Sequence, residues 1–242
     1  MACIVAMGCL RATFRGFMQT GGLPPIRSCC PGIQGSAGVL RVDGIMRTCD
    51  RNEACSMSRY TLTQVAAERL LKDLDIAVVK TMSRVVADAR EHLWLLESIS
   101  TTDVLTDSDF QRRLCRHVGM RGKLRMRREE LFMILDGIRR VPHRNYPDVL
   151  MQISELTGQV EKSVASEVLA LLEPDQPTID REVRELMPRY GFQPLPESPL
   201  FDECVAYHHC LRQVMEQVLA LPLAGTLLAR LDQAIEIGRA HV

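Results

Sequence analysis

Lys162 and Asp180 are the two residues of this 242-residue sequence whose types and spacing suggest a reaction. They lie eighteen residues apart, at the two ends of an apolar stretch that is long enough for a helix. A neutral lysine amine can form a Schiff base with a carbon atom, and it needs burial or nearby cations to lose its proton. A neighbouring carboxylate can stabilise developing positive charge or activate a nucleophile. A lysine and an aspartate could together carry out such chemistry if the fold brings their side chains to one cleft.

The residues around this pair resemble the core of the helix-hairpin-helix DNA glycosylases of the endonuclease III type, the HhH-GPD superfamily. In that family a Leu-Pro-Gly-Val-Gly hairpin precedes a lysine, and an aspartate follows at a similar spacing. This sequence reads Leu156-Thr157-Gly158-Gln159-Val160-Glu161-Lys162 and then Pro177-Thr178-Ile179-Asp180. Thr157 and Val160 stand where the family has its proline and its second glycine. The resemblance covers Leu156 to Met187, a small share of the chain.

The resemblance implies a protein that binds DNA and excises damaged bases, with Lys162 as Schiff-base nucleophile and an associated AP-lyase step. Such an enzyme takes the base out of the stack to reach its sugar. The resemblance also implies that the amides of Gly158, Gln159 and Val160 grip a phosphate at a helix N-terminus. Asp180 would begin the next helix and face the same cleft. No cofactor and no metal site are expected, since the C-terminal side carries no Cys-rich metal loop.

A second resemblance is to a group of uncharacterised bacterial proteins that are themselves reminiscent of the glycosylase fold. It is carried by Thr157 to Ser166, by Pro174, Pro177 and Asp180, and by a later segment from Gly225 to Asp232. Those proteins have a lysine after the serine, where this chain has Glu167. On that comparison Lys162 is not the equivalent lysine, and the alternative is a helical interaction protein without catalysis.

Each of the two residues also has a purely structural explanation. Aspartate is a preferred N-cap, so Asp180 is suited to begin a helix whatever else it does. The buried stripe of the preceding helix is expected to contain Val160, Val164, Val168 and Leu171, and Lys162 lies off it, where solvated lysines normally lie.

Charge is unevenly distributed, although the whole chain has a formal net charge of +0. Residues 112–144 carry eleven basic and three acidic side chains, and residues 145–235 carry six basic and fourteen acidic ones. A dense basic block attracts phosphates independently of nucleotide sequence. The residues predicted to bind DNA there are Arg121, Lys123, Arg125, Arg127 and Arg128. The alternative is a solvated face that pairs with the acidic half of the same domain.

Hydrophobic periodicity after residue 57 is helical almost throughout, without strand alternation. It predicts an all-α domain whose helices pass through Val65–Leu96, Phe110–Val118, Leu131–Ile138, Val149–Ile153, Val160–Leu172, Asp180–Met187, Phe201–Leu221 and Ala224–Ile235. Pro142, Pro174 and Pro188 are expected to stop helices, because proline lacks the amide that a helix interior needs.

The two ends of the chain differ in character from this domain. Residues 1–56 hold six of the nine cysteines and eight of the fifteen glycines without regular periodicity, which predicts an irregular, disordered or non-native leader. The domain is predicted to span residues 57–235 and to be truncated at its C-terminus. Residues 236–242 resemble a translated sequencing adapter, which reads Ile-Gly-Arg-Ala-His-Val. Three remaining cysteines and the lack of an apolar span predict a cytoplasmic protein with no membrane partner.

Overall fold

The structure is a computed structural model that describes residues 62–120 and 127–239, with side chains through residue 236. Within these ranges the chain is all-α, as predicted, with eight α-helices, one 3₁₀ helix and no strand. The helices are α1 Gln64–Thr101, α2 Ser108–His117, α3 Arg128–Arg139, α4 Tyr146–Thr157, α5 Lys162–Leu172, α6 Arg181–Leu186, α7 Phe201–Leu219 and α8 Pro222–Arg239, and a 3₁₀ helix, Met187–Tyr190, follows α6. The predicted leader, residues 1–56, lies outside the described residues.

Helix α1 is the long central element, and α2, α5, α7 and α8 all pack against it. Thr63 caps its N-terminus by accepting a hydrogen bond from the Ala66 amide. The helix is kinked at Thr81, whose backbone leaves the helical region at φ −125° and ψ 21°. This kink divides the apolar stripe of α1 into two parts, and both parts contribute to the core.

The helix ends follow from capping residues and prolines. Asp107 caps α2, Asn145 caps α4, and Asp180 caps α6, each accepting from amides of the first turn. Helix α6 ends at Leu186, before Pro188 as predicted, and Pro188 lies in the first turn of the 3₁₀ helix that follows. Proline is tolerated there, since the first turn of a helix leaves its amides without intrahelical partners.

Helix α5 lies in the middle of the core, and every residue from Val164 to Leu171 is buried. Its closest partner is α4, which precedes it across a short connection, and α1 packs on another side. Because α5 begins at Lys162 and residues 177–180 return to its first turns, the core helix also positions both predicted catalytic residues.

In the described part of the chain, no single helix is long and apolar enough to cross a membrane. Phe201–Leu219 and Pro222–Glu236 pass that test of length and composition only as a pair, and they are bent by 87° relative to each other.

Candidate functional site

The connection between α4 and α5 is a tight turn that depends on a glycine. Gly158 has φ 67° and ψ 23°, the left-handed conformation that side-chain-bearing residues adopt at a cost. Its amide donates to the Ser154 carbonyl at 2.7 Å and so closes the last turn of α4. The predicted helix break at Gly158 is confirmed, and the chain enters α5 four residues later.

Two of the three amides expected to bind phosphate already have acceptors in the last turn of α4, one a carbonyl and one a hydroxyl. Gly158 donates to Ser154, and the Gln159 amide lies 3.3 Å from Thr157 Oγ1. Among the described residues, no hydrogen-bond partner is found for the Val160 amide. A phosphate at this turn would therefore meet one available amide and would have to compete for the other two. The predicted role of Gly158, Gln159 and Val160 in phosphate binding stays a prediction.

Lys162 is the first residue of α5, and its side chain is partly buried. Its Nζ lies 3.5 Å from the Glu197 carbonyl, and its own carbonyl accepts a hydrogen bond from the Tyr146 hydroxyl at 3.2 Å. Burial lowers the pKa of the Lys162 amine below its ordinary value, and the Arg184 guanidinium lowers it further. Cys204, Glu161 and Glu197 act in the opposite direction. The net effect favours the neutral amine that a nucleophile requires.

The structure brings the chain segments that carry Lys162 and Asp180 together. Ser163 Oγ donates to the Ile179 carbonyl at 2.7 Å, and Ser166 Oγ accepts from the Ile179 amide at 2.8 Å. Both ends of the Ile179 backbone are therefore fixed to the first turns of α5. We call these two contacts the serine clamp.

Asp180 is buried, with 3% of its surface exposed, and it accepts from the Val183 amide at 2.7 Å. This is the capping role that its sequence position also allows. The charges that act most strongly on the Lys162 amine come from Arg184, Cys204, Glu161 and Glu197 rather than from Asp180. Direct cooperation between Lys162 and Asp180 stays a prediction.

Two neighbours of Lys162, Arg184 and Tyr146, were not singled out from the sequence for this site. Arg184 lies one helical turn after Asp180, and its Nε is buried without a hydrogen-bond partner among the described residues. Tyr146 stacks on His208 with ring centroids 4.0 Å apart and an interplanar angle of 4°. The one signal that could have indicated Arg184 is its i, i+4 spacing from Asp180, which places both on one helix face.

Cys204 and His208, which are spaced i, i+4 on α7, are buried components of this environment. Burial raises the pKa of the Cys204 thiol to about 11 and lowers the pKa of His208 to about 3. The thiol is therefore protonated and the imidazole neutral at neutral pH, which makes Cys204 a poor nucleophile. Within the described ranges, no group of three or more His, Cys, Asp or Glu side chains is placed to hold a metal ion.

The basic block reaches the turn through Arg127. Its guanidinium donates to the Leu156 carbonyl in the last turn of α4 and also lies 3.5 Å from Glu130. A cation is favourable at that carbonyl because the C-terminal end of a helix carries partial negative charge. Arg128 donates to Gln111 on α2 at 2.6 Å. Arg121, Lys123 and Arg125 lie outside the described residues.

Many other arginines of the block are paired with acids inside the domain. Arg139 and Arg140 both contact Asp136, and Arg144 bridges to Glu173 at 2.7 Å. Only the last of these pairs joins the block to the acidic half of the chain. Among the described arginines of the block, Arg116 and Arg128 are exposed and have no acidic partner within salt-bridge distance.

A large cleft of about 1110 Å³ lies elsewhere, at the C-terminal ends of α1, α3 and α5. Lys162 occupies the opposite end of α5, which is about 15 Å away at 1.5 Å per residue. The cleft is therefore separate from the serine clamp and from the predicted catalytic pair.

The likeness to helix-hairpin-helix glycosylases thus rests on residues Leu156 to Met187 and their spacing. In the structure α4 and α5 are packed and joined by a glycine turn, and Lys162 lies in the first turn of α5; the likeness to that family stays a prediction. In comparisons with protein-family models, curated proteins and solved structures, nothing matches this chain.

Proposed function

We propose that this protein binds DNA through the surface formed by the start of α3 and the α4–α5 turn, and that it is a DNA glycosylase-like protein. The observation that carries the proposal is the contact between Arg127 and the Leu156 carbonyl. It places the basic block beside the turn that precedes Lys162. Arg128, which contacts Gln111 on α2, extends this surface, and Arg116 on α2 is also exposed; no described acid lies within salt-bridge distance of either. Phosphates are the natural partners of such a surface.

The proposed chemistry uses the Lys162 amine on a flipped nucleotide. The neutral amine forms a bond to the sugar carbon while the bond from that carbon to the base breaks. The base leaves with the bonding electrons and takes up a proton, and opening of the sugar ring gives a Schiff base. The lowered pKa of Lys162 supports this role, because the neutral amine is the reactive form. The buried carboxylate of Asp180 would stabilise positive charge that develops at the sugar.

A helical interaction protein without catalysis is the second candidate. It is favoured by Glu167, which is buried at the position where one resembling group has a lysine. It is also favoured by the capping role of Asp180 and by the ion pairs that engage much of the basic block. We place either protein in the reducing cytoplasm, because Cys115, Cys204 and Cys210 are free thiols.

Borohydride trapping on DNA with an abasic site tests the catalytic proposal. The wild-type chain is expected to give a covalent adduct, and Lys162→Ala and Lys162→Arg are expected to give none. Lys80→Ala, which removes an exposed lysine of α1, is the matched control and should trap as well as wild type. Trapping by Lys162→Ala at the wild-type level would end the catalytic proposal. DNA affinity measured with the same variants tests the binding proposal separately.

A further inference from the structure

The cleft at the C-terminal end of α5 has the size and the charge of a ligand site that the proposed function does not use. Its volume of about 1110 Å³ is at the upper end of small-molecule pockets. Its apolar lining comes from the three helices α1, α5 and α8 and includes Leu93, Leu96, Leu172 and Ile235. A molecule that entered it would therefore bury an apolar body.

The ends of three helices meet at this cleft with the same polarity. Thr101 ends α1, Arg139 ends α3, Leu172 ends α5, and residues at all three ends line the cleft. The C-terminal end of a helix carries partial negative charge from its unpaired carbonyl groups. Three such ends directed at one space give it a negative potential before any side chain is counted.

Two arginines already compensate part of this negative potential by donating to carbonyls at the helix ends. Arg139 donates to the carbonyls of Ile99 and Thr102 at 3.1 and 2.8 Å, and Arg144 donates to the Ile138 carbonyl at 3.0 Å. Arg139 pairs with Asp136, which Arg140 also contacts, and Arg144 pairs with Glu173. These contacts show that a cation fits such carbonyls, and Arg90 on α1 likewise donates to the Ile235 carbonyl.

The remaining side chains are acidic. The lining contains Glu97, Asp103, Asp232 and Glu236, and among the described residues no ion pair engages Asp232 or Glu236. With Asp136 and Glu173 included, and with Arg90, which donates to the Ile235 carbonyl, four arginines face six carboxylates, a formal balance of −2. Asp232 and Glu236 lie one turn apart on α8, so both carboxylates are on one face of the helix.

We infer that this cleft binds a small amphipathic organic cation, whose apolar body lies on the leucine and isoleucine lining and whose protonated amine meets Asp232 and Glu236. The inference is independent of DNA binding and of Lys162, which lies at the other end of α5. An anionic ligand is disfavoured, because it would face both the helix ends and the unpaired carboxylates.

Calorimetry with three ligands of equal chain length tests this inference on the full chain: decylammonium, decanol and decyl sulfate, each below its micelle-forming concentration. Decylammonium is expected to bind, with decanol weaker and decyl sulfate weakest. Asp232→Asn with Glu236→Gln is expected to weaken decylammonium by about tenfold and to leave decanol unchanged. Asp202→Asn with Glu155→Gln removes two exposed charges elsewhere and should have no effect.

A second variant tests whether decylammonium binds in the cleft or at another surface. Ser100 is an exposed residue of the lining, so Ser100→Trp fills part of the cleft with little cost to the fold. It should weaken decylammonium and decanol together. The inference is overturned if decylammonium does not bind, if decyl sulfate binds equally well, or if either the Asp232/Glu236 variant or Ser100→Trp leaves decylammonium affinity unchanged.

Discussion

At the scale of single residues, the backbone of Gly158 is the feature of the turn that other amino acids would reproduce least well. Its φ of 67° is left-handed, and an added Cβ would meet no atom within 4 Å. The space around Gly158 is open, so any cost of a side chain comes from the backbone alone. A substitution at Gly158 therefore measures the cost of the left-handed backbone without any steric clash.

Gly158→Ala should therefore lower the free energy of unfolding by about 1 kcal/mol. Gly137→Ala is the matched control, because Gly137 is an exposed helical residue with open space around it. That control should raise the free energy of unfolding by about 0.5–1 kcal/mol, since alanine is the better helix former. Urea denaturation measures both changes. Equal effects of the two substitutions would contradict the left-handed turn.

The amine of Lys162 gives the second residue-scale prediction. Because its pKa lies below the ordinary value, borohydride trapping should rise with pH around a midpoint below that of a free lysine side chain. Arg184→Met removes a positive charge that lowers this pKa, so it should shift the midpoint to higher pH. Arg84→Met, on a distant part of α1, should leave the midpoint in place. An unshifted midpoint in Arg184→Met would show that Arg184 does not act on the amine.

The lowered pKa of Lys162 also affects the free energy of unfolding. A lysine whose folded pKa is depressed binds its proton more weakly in the folded state than in the unfolded state. The charged amine therefore opposes folding at neutral pH, and this penalty disappears as the pH rises through the folded pKa towards the ordinary value. Loss of the Lys162 charge should thus not unfold the protein, which keeps the trapping experiment interpretable.

At the scale of elements, the serine clamp decides where the segment before α6 lies relative to α5. Ser166 is fully buried, and its hydroxyl donates to the Ser163 carbonyl at 2.9 Å while accepting from Ile179. Ser166→Ala would leave the buried Ile179 amide without its acceptor. Buried amides that lose their partners cost about 1–3 kcal/mol.

Ser166→Ala should therefore lower the free energy of unfolding by about 1–3 kcal/mol. If the clamp also sets the distance between Lys162 and Asp180, trapping should slow in the same variant under conditions where it remains folded. Ser100→Ala removes an exposed hydroxyl from α1 and should change neither quantity measurably. Wild-type stability of Ser166→Ala would show that the clamp does not hold the segment.

The elements themselves were largely predictable, and the contacts between them were not. Periodicity and caps such as Asp107 indicated the helices because both signals act within a few residues. The serine clamp joins residues thirteen and sixteen positions apart, so no local pattern encodes it. The sequence did not indicate that Arg184 lies near Lys162, because that proximity depends on how α6 packs.

At the scale of the whole molecule, the uneven charge of the sequence is partly resolved by internal pairing. The cluster of Asp136 with Arg139 and Arg140 is satisfied within α3 and its end, and Arg144 reaches Glu173 beyond α5. Arginines that are engaged in these ion pairs are less available to bind DNA phosphates. The charge available for DNA is therefore smaller than the sequence count implies, and it is concentrated near Arg116 and Arg128.

This distribution predicts which arginines control DNA affinity. Arg116→Ala with Arg128→Ala should weaken binding to all DNA sequences about equally and should reduce the slope of log affinity against log salt by about 2, one for each lost phosphate contact. Arg140→Ala is the matched control, because Arg140 is exposed but paired with Asp136. It should leave the slope nearly unchanged. Fluorescence anisotropy with a short duplex over a range of salt concentrations measures the slopes. If the Arg140 variant lost as much affinity as the double variant, binding would follow total charge rather than the surface beside the turn, and the proposed DNA interface would be wrong.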